Sequence, residues 1–365
     1  MNDLKSIPAY LMRGGTSKGL IFHKKDLPSD RNLLTEYLLK IMGSPDVRQI
    51  NGLGGGTSVT SKVCIISKSL EKNIDIDYFF AQVEVDRKHV DYAPTCGNML
   101  SALGPFAIEE GLVETSDQIT KVNVKSINTN ALITLDVPTP GKKLKYSGDF
   151  KIDGVPGTGS QILMNFKNLE GKTTGNLFPT GNTTDTFDGI NVTCFDLATS
   201  MIVCNAREFN ILGNENSKEL NNNKQLLDRI EQIRLLAGKK MGMGDVKGKV
   251  LPKVSLLSKS TNKNTIISRY FTPYSCHETH AVTGTCCVAS SCLIPGTIGF
   301  KLLKKNDSLD LNSEIIKIEH PLGLIDCMIV LNKNFKNNLV SKKDLIKSCG
   351  IYRTSRILMK GQVYF

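Results

Sequence analysis

The chain has no tryptophan, and only 6% of its 365 residues are aromatic, a composition that suits strands, turns and close backbone approaches better than a helical bundle. It also lacks long apolar runs. The stretch over residues 288–294 is far short of the roughly 20 residues that cross a bilayer, and no apolar core precedes a small-residue cleavage site near the N-terminus. Although the formal net charge is +11 and the pI about 9.1, no basic block exists, because lysines such as Lys142, Lys143 and Lys145 are scattered among polar residues. That pattern implies a solvated basic surface, with neither nucleic acid nor membrane as partner.

No C-x-x-C pair occurs among the ten cysteines, eight of which lie beyond residue 190, several in apolar runs. Reduced thiols and a cytoplasmic location are expected. Neither a Walker loop nor a dinucleotide fingerprint is present, so no cofactor is expected. A metal is not expected either, since Cys276, His277 and His280 do not complete a zinc spacing. What remains is ample apolar material, 40% of residues, with 31 Gly and 13 Pro. Such a composition suits short strands and turns in about two domains.

The order of elements repeats. A strand pattern at residues 19–23 and an amphipathic helix at 32–42 in the first half match a strand at 200–204 and a helix at 224–237 in the second. Thr95-Cys96-Gly97-Asn98 leads into a helix over 99–109, and Thr283-Gly284-Thr285-Cys286 leads into an almost wholly apolar one over 287–293. Helices apolar on every side must be enclosed, and the short strand-like runs around them can do so. We therefore expect an α+β fold of two similar lobes. The first covers residues 1–184, with strand 352–365 as a candidate completion, and the second covers 185–351.

Several segments carry chemistry. Arg13-Gly14-Gly15-Thr16-Ser17-Lys18-Gly19 combines flexible backbone, hydroxyls and cations, as a carboxylate or phosphate site requires; the plain alternative is a glycine turn before a strand. In the run from Gly52 to Lys62, four glycines, among them Gly55, give way to Thr57, Ser58 and finally Lys62 beside an apolar strand. Desolvation there disfavours the ammonium and suits a proton carrier, while the alternative is an edge lysine covering apolar surface. Cys96, with Gly97 and Asn98, opens a buried helix, where free N–H groups favour a thiolate or hold a carboxylate. Gly284 and Thr285 would form the matching turn in the second lobe.

Together with Met42-Gly43-Ser44-Pro45-Asp46, Gly52-Leu53-Gly54-Gly55, Thr60-Ser61-Lys62-Val63, Phe80-Ala81-Gln82-Val83, Cys96-Gly97-Asn98-Met99, Gly154-Val155-Pro156-Gly157 and Pro179-Thr180-Gly181-Asn182, the Arg13 segment resembles the PrpF family. The resemblance runs from about Ile7 to Arg353-Thr354-x-Arg356-x-Leu358-Met359-x-Gly361. That family includes 2-methylaconitate cis-trans isomerases and 4-oxalomesaconate tautomerases. The resemblance implies a diaminopimelate-epimerase-like fold, each lobe a β-roll around a central helix with the active site in the cleft. It also implies a cofactor-independent proton shift in an unsaturated di- or tricarboxylate, with the family's lysine on Lys62 and its cysteine on Cys96.

Arg13, Ser17 and Arg269 are candidate carboxylate clamps, with Gly15, Thr16, Gly55, Thr57, Ser58, Gly97, Asn98, Gly284 and Thr285 as further substrate contacts. Three alternatives stay open: a keto-enol tautomerase, an amino-acid epimerase using a second-lobe cysteine, and a non-catalytic carboxylate-binding protein. A homo-oligomer is compatible with all of them.

Overall fold

A computed structural model describes residues 4–303, 314–332 and 345–365. It divides into two compact units, residues 1–166 with 352–365 and residues 167–351.

In the first unit, β1 (Ser6–Gly14) pairs antiparallel with β2 (Ser17–His23), and β2 lies parallel to β3 (Lys62–Lys68). Next come β4 (Ile76–Val83), antiparallel to β3, the short β5 (Val90–Asp91) on β4, and β6 (Gln118–Ser126), parallel to β4. The series ends in the antiparallel strands β7 (Leu132–Thr139) and β8 (Ile162–Phe166). Helix α1 (Arg31–Met42) starts where the Asp30 carboxylate accepts the Leu33 N–H at 2.8 Å and stops where Gly43 turns left-handed, φ 78°. Leu34, Leu38 and Met42 of α1 bury against Leu20, Phe22, Val63, Ile65 and Ala81, the outer face of the sheet.

The inner face encloses α2 (Gly97–Glu109), in which every residue from Met99 to Ala107 is buried. No amphipathic stripe is possible for such a helix, and the strands wrap it instead.

The second unit repeats the order. A short β9 (Asp185–Phe187) pairs with β10 (Ile190–Leu197), which is antiparallel to β11 (Thr199–Asn205), itself parallel to β12 (Lys253–Lys259). Then β13 (Thr265–Phe271) is antiparallel to β12, β14 (Glu314–His320) parallel to β13, and β15 (Gly323–Leu331) and β16 (Ile346–Arg353) follow antiparallel. The helices α3 (Ser217–Asn222) and α4 (Lys224–Lys240) precede β12, and α5 (Val282–Ser291) and α6 (Ile298–Leu303) follow β13. Helix α5 is buried from Gly284 to Ser291 and packs on β10, β11, β14 and β15. Finally β17 (Ser355–Tyr364) returns to the first unit and pairs antiparallel with β1.

The α+β duplication expected from the sequence is thus present strand by strand. It also makes visible a residue-level echo: β3 reads Lys-Val-Cys-Ile-Ile-Ser-Lys and β12 reads Lys-Val-Ser-Leu-Leu-Ser-Lys. Residues 167–184, read from sequence as the end of the first lobe, pack with the second unit. Their backbone bonds to β10, through Gly171 N–H to Asp196 O at 2.8 Å and Asp196 N–H to Leu177 O at 2.9 Å, account for this.

Candidate active site

Lys62 is the first residue of β3 and only 9% exposed. Its Nζ donates to Gln82 Oε1 at 2.6 Å and sits 5.4 Å from the centre of the Phe80 ring. Alternation along β3 puts Cys64 on the same face, and the register sets Gln82, Phe80 and Tyr78 opposite Lys62, Cys64 and Ile66. Across the parallel pair, β2 approaches closely at Gly19. A Cβ there would lie 2.9 Å from the Lys62 carbonyl carbon, which is why this position has no side chain.

The four-glycine loop before Lys62 wraps a side chain. Gln49, 1% exposed, donates to Ser61 Oγ at 2.7 Å and Ser44 Oγ at 3.0 Å and accepts the Gly56 N–H at 2.9 Å. Farther along the loop Gly55, Thr57 and Ser58 are exposed; Thr57 and Thr60 hydroxyls bond each other at 2.8 Å.

Cys96 is the N-cap residue of α2, and no side chain caps this end, which leaves the first-turn N–H groups of Gly97 and Asn98 for a ligand. It is the one cysteine of ten that is not buried. The Tyr78 hydroxyl donates to its carbonyl at 3.4 Å, which links the helix start to the face that carries Lys62. Burial pushes the Cys64 thiol up and the neighbouring Cys96 adds to this, while Tyr78 and Lys62 act the other way. Lys62, Cys64, Tyr78 and Cys96 therefore share one neighbourhood.

The Arg13 segment meets the same helix end. Asn98 donates to Thr16 Oγ1 at 3.0 Å and accepts from Arg353 Nε at 3.1 Å. Gly15 has φ 51°, and a Cβ there would lie 3.0 Å from Asn98 Cγ, so glycine answers both the turn and the close approach. Ser17 is buried at 2% exposure. Arg13, expected as a clamp, gives Nη1 to the Gly15 and Thr354 carbonyls, both at 2.9 Å, and Nη2 to Thr354 Oγ1 at 3.0 Å. Burial, then Arg356, lowers its pKa. Arg13 braces the turn against the chain entering β17.

In the second unit the expectations need correction. Helix α5 begins at Val282, not at residue 287, so Gly284 and Thr285 lie inside its first turns. The Thr285 N–H is spent on Ala281 O at 2.8 Å, and its hydroxyl bonds the same carbonyl at 2.9 Å. Gly284 lies against rings. A Cβ there would come within 2.8 Å of Tyr270 Cε2 and 3.0 Å of His280 Cε1. An exposed helical glycine gains about 1 kcal/mol on becoming alanine, but overpacking costs about 1–3 kcal/mol and should win. Gly284→Ala should thus lower the urea midpoint; an unchanged or raised midpoint would show that the rings give way.

Arg269 is 3% exposed and donates to Glu215 O at 2.6 Å and Ser268 O at 3.2 Å. Ser268 and Tyr270 reach His280 before α5, so alternation points Arg269 to the opposite face, where it ties down the loop ahead of α3. The N-cap of α5 is Ala281, where α2 has Cys96. Cys286 and Cys287 are buried inside the helix, so no second-unit thiol stands in the place of Cys96.

His280 is held by Ser268 Oγ at 3.0 Å and Thr285 Oγ1 at 3.2 Å, and its pKa falls from 6.5 to about 3, chiefly through burial. A depressed folded value means that the native state binds fewer protons between those limits. The stability it contributes is present above pH 6.5 and is lost as pH falls towards 3. The urea midpoint of His280→Gln should decline less steeply over this window than that of the parent; parallel declines would refute the assignment.

Among the described residues no three His, Cys, Asp or Glu side chains converge as a metal-ligand set, and no helix is long and apolar enough to cross a membrane. Two contributors had no role in the sequence reading, Gln82 and Arg353. Each stands in a motif string that carried the resemblance, which was the available signal.

A family model described as PrpF protein matches residues 4–365. A 4-oxalomesaconate tautomerase of Pseudomonas putida is 40% identical over 357 residues, 98% of this chain and 95% of that protein. The crystal structure of a methylitaconate-delta-isomerase matches with a TM-score of 0.88 at 35% identity, over 100% of this chain and 96% of that one. A hydroxyproline epimerase from Agrobacterium vitis, 9% identical with a TM-score of 0.51, covers 100% of this chain and 94% of its own and shares the fold alone. The chain belongs to the PrpF family, and it is an isomerase.

Proposed function

We propose that this isomerase moves a proton within an unsaturated di- or tricarboxylate of the 2-methylaconitate kind. Lys62 takes a proton from the carbon γ to a carboxylate, the electron pair spreads into a dienolate, and a proton from Cys96 returns at another carbon. One C–H bond breaks, one forms, and the double bond migrates or turns. The N–H groups of Gly97 and Asn98 at the α2 N-terminus, with Thr16, Ser17 and Arg353, hold carboxylate oxygens. Neither step calls for a metal or organic cofactor.

The observation that carries this reading is the setting of Lys62: nearly buried, held by a neutral amide, and on the face that leads to the one accessible cysteine. Two relatives named for oxalomesaconate and methylitaconate support the substrate class. Ten unpaired thiols suit a reducing cytoplasm. Ala281 at the α5 N-cap weighs against a two-thiol epimerase.

Proton NMR in D2O of 2-methylaconitate, 4-oxalomesaconate and methylitaconate tests the proposal. Deuterium should enter at least one acid as it isomerises. Folded protein that exchanges none of the three would overturn the substrate class.

A further inference from the structure

We infer that Gln82 is a positioning residue for Lys62, an acceptor that fixes the amine without adding a charge to hold its proton. This rests on the reading of Lys62 as the base. The amide orientation follows from its partners. Gln82 Nε2 faces the carbonyls of Ser58 at 3.1 Å and Ser61 at 2.8 Å, which only accept, so Oε1 is the atom turned to Lys62 Nζ at 2.6 Å.

Beside the amine stand the Phe80 ring and the Cys64 thiol on β3, Cys64 in turn neighbours Tyr78 on β4 and Cys96 at the start of α2, and Gly19 on β2 offers no side chain. Among the described residues Lys62 makes no ion pair, whereas Lys121 and Lys125 of β6 are each held by a carboxylate. A carboxylate at position 82 would favour the ammonium and face two backbone carbonyls. An amide does neither.

The duplication supplies an internal comparison. Lys253 begins β12 as Lys62 begins β3, but the register Val254↔Phe271 brings Thr272 to the place of Gln82, and no side chain there can reach out as an acceptor of that length. The amide belongs to the unit with Cys96 at its helix start.

Two variants test the inference. In Gln82→Glu the opposite charge should raise the Lys62 titration by about 1–3 pH units and carry the rate profile up with it, with kcat at neutral pH falling roughly ten- to a thousand-fold and recovering as pH rises. The titration is read directly by NMR of 13C- and 15N-labelled lysine, the Lys62 signal being the one absent from Lys62→Arg. Gln82→Met, similar in length but with only a weakly accepting thioether in place of the amide oxygen, should lower kcat at every pH with KM, measured on the acid that exchanges in D2O, changed less than about threefold.

An unmoved Lys62 titration in Gln82→Glu overturns the inference, as does a Gln82→Met enzyme with the parent kcat. If the titration moves while the rate profile stays put, Gln82 controls Lys62 but Lys62 is not the base. That outcome overturns the catalytic reading and leaves the positioning role standing.

Discussion

Lys62→Ala should stop deuterium from entering the substrate in D2O, lowering the exchange rate by at least the roughly 10²–10⁴-fold that a positioned acid or base contributes. The variant should fold, because Lys62 Nζ lies over Phe80 and contacts Gln82 without forming an ion pair among the described residues. Lys62→Arg is the sharper comparison. A guanidinium can still donate to Gln82 Oε1 and attract a carboxylate, yet it does not give up a proton at accessible pH. It should bind the acid and fail to exchange it. Exchange by Lys62→Arg within tenfold of the parent would reduce Lys62 to an electrostatic anchor and move the search for the base to Cys96.

The second large effect concerns Cys96. A brief native reaction with iodoacetamide should label Cys96 well before the other nine cysteines, which are buried, and a bound polycarboxylate should shield it. Burial further disarms several rivals: the thiols of Cys194, Cys204, Cys287 and Cys349 are all pushed up by it, and Cys276 is raised to about 11. Peptide mass spectrometry gives the order of labelling. Preferential modification of Cys286 or Cys287 would shift the reactive centre to α5 and revive the epimerase alternative. Cys96→Ser should keep the fold and lose most isomerisation, since a hydroxyl is a far weaker acid than a thiol.

Sequence disclosed most where local chemistry decides. The bounds of α1 follow from Asp30 and Gly43, and the sequence estimate of residues 32–42 lies within one residue of the observed helix. The buried helices were recognisable because nothing in them is amphipathic. The start of α5 was not, since Thr283-Gly284-Thr285 has the composition of a turn, and only packing against Tyr270 and His280 shows that the glycine is there for room. Arg269 failed for a different reason. Charge is visible in a sequence, but the face of a strand depends on a register that is set by distant residues. Lys253 needed both strands to be placed before its likeness to Lys62 had meaning. Gln82 and Arg353 stood in recognisable strings, yet their partners, Lys62 and Asn98, come from other elements, 20 and 255 residues away.

The pairing of β1 with β17 sets an order on the making of the molecule. Ser6 faces Tyr364 and Gly14 faces Ser355, so β1 waits for a strand made after the whole of the second unit. Every pairing internal to the second unit is available before that strand is synthesised. The unit that holds β1 is therefore finished after the unit that follows it in the chain, and until then the backbone groups of β1 opposite β2 lie open to any strand that passes. Arg13 sits at this seam, bonded to Thr354 beside β17, so the turn that frames Thr16 and Asn98 gains its brace only once Thr354 has been made. Assembly of the candidate site is thereby tied to the arrival of β17, more than 250 residues after Lys62 and Cys96 have been made.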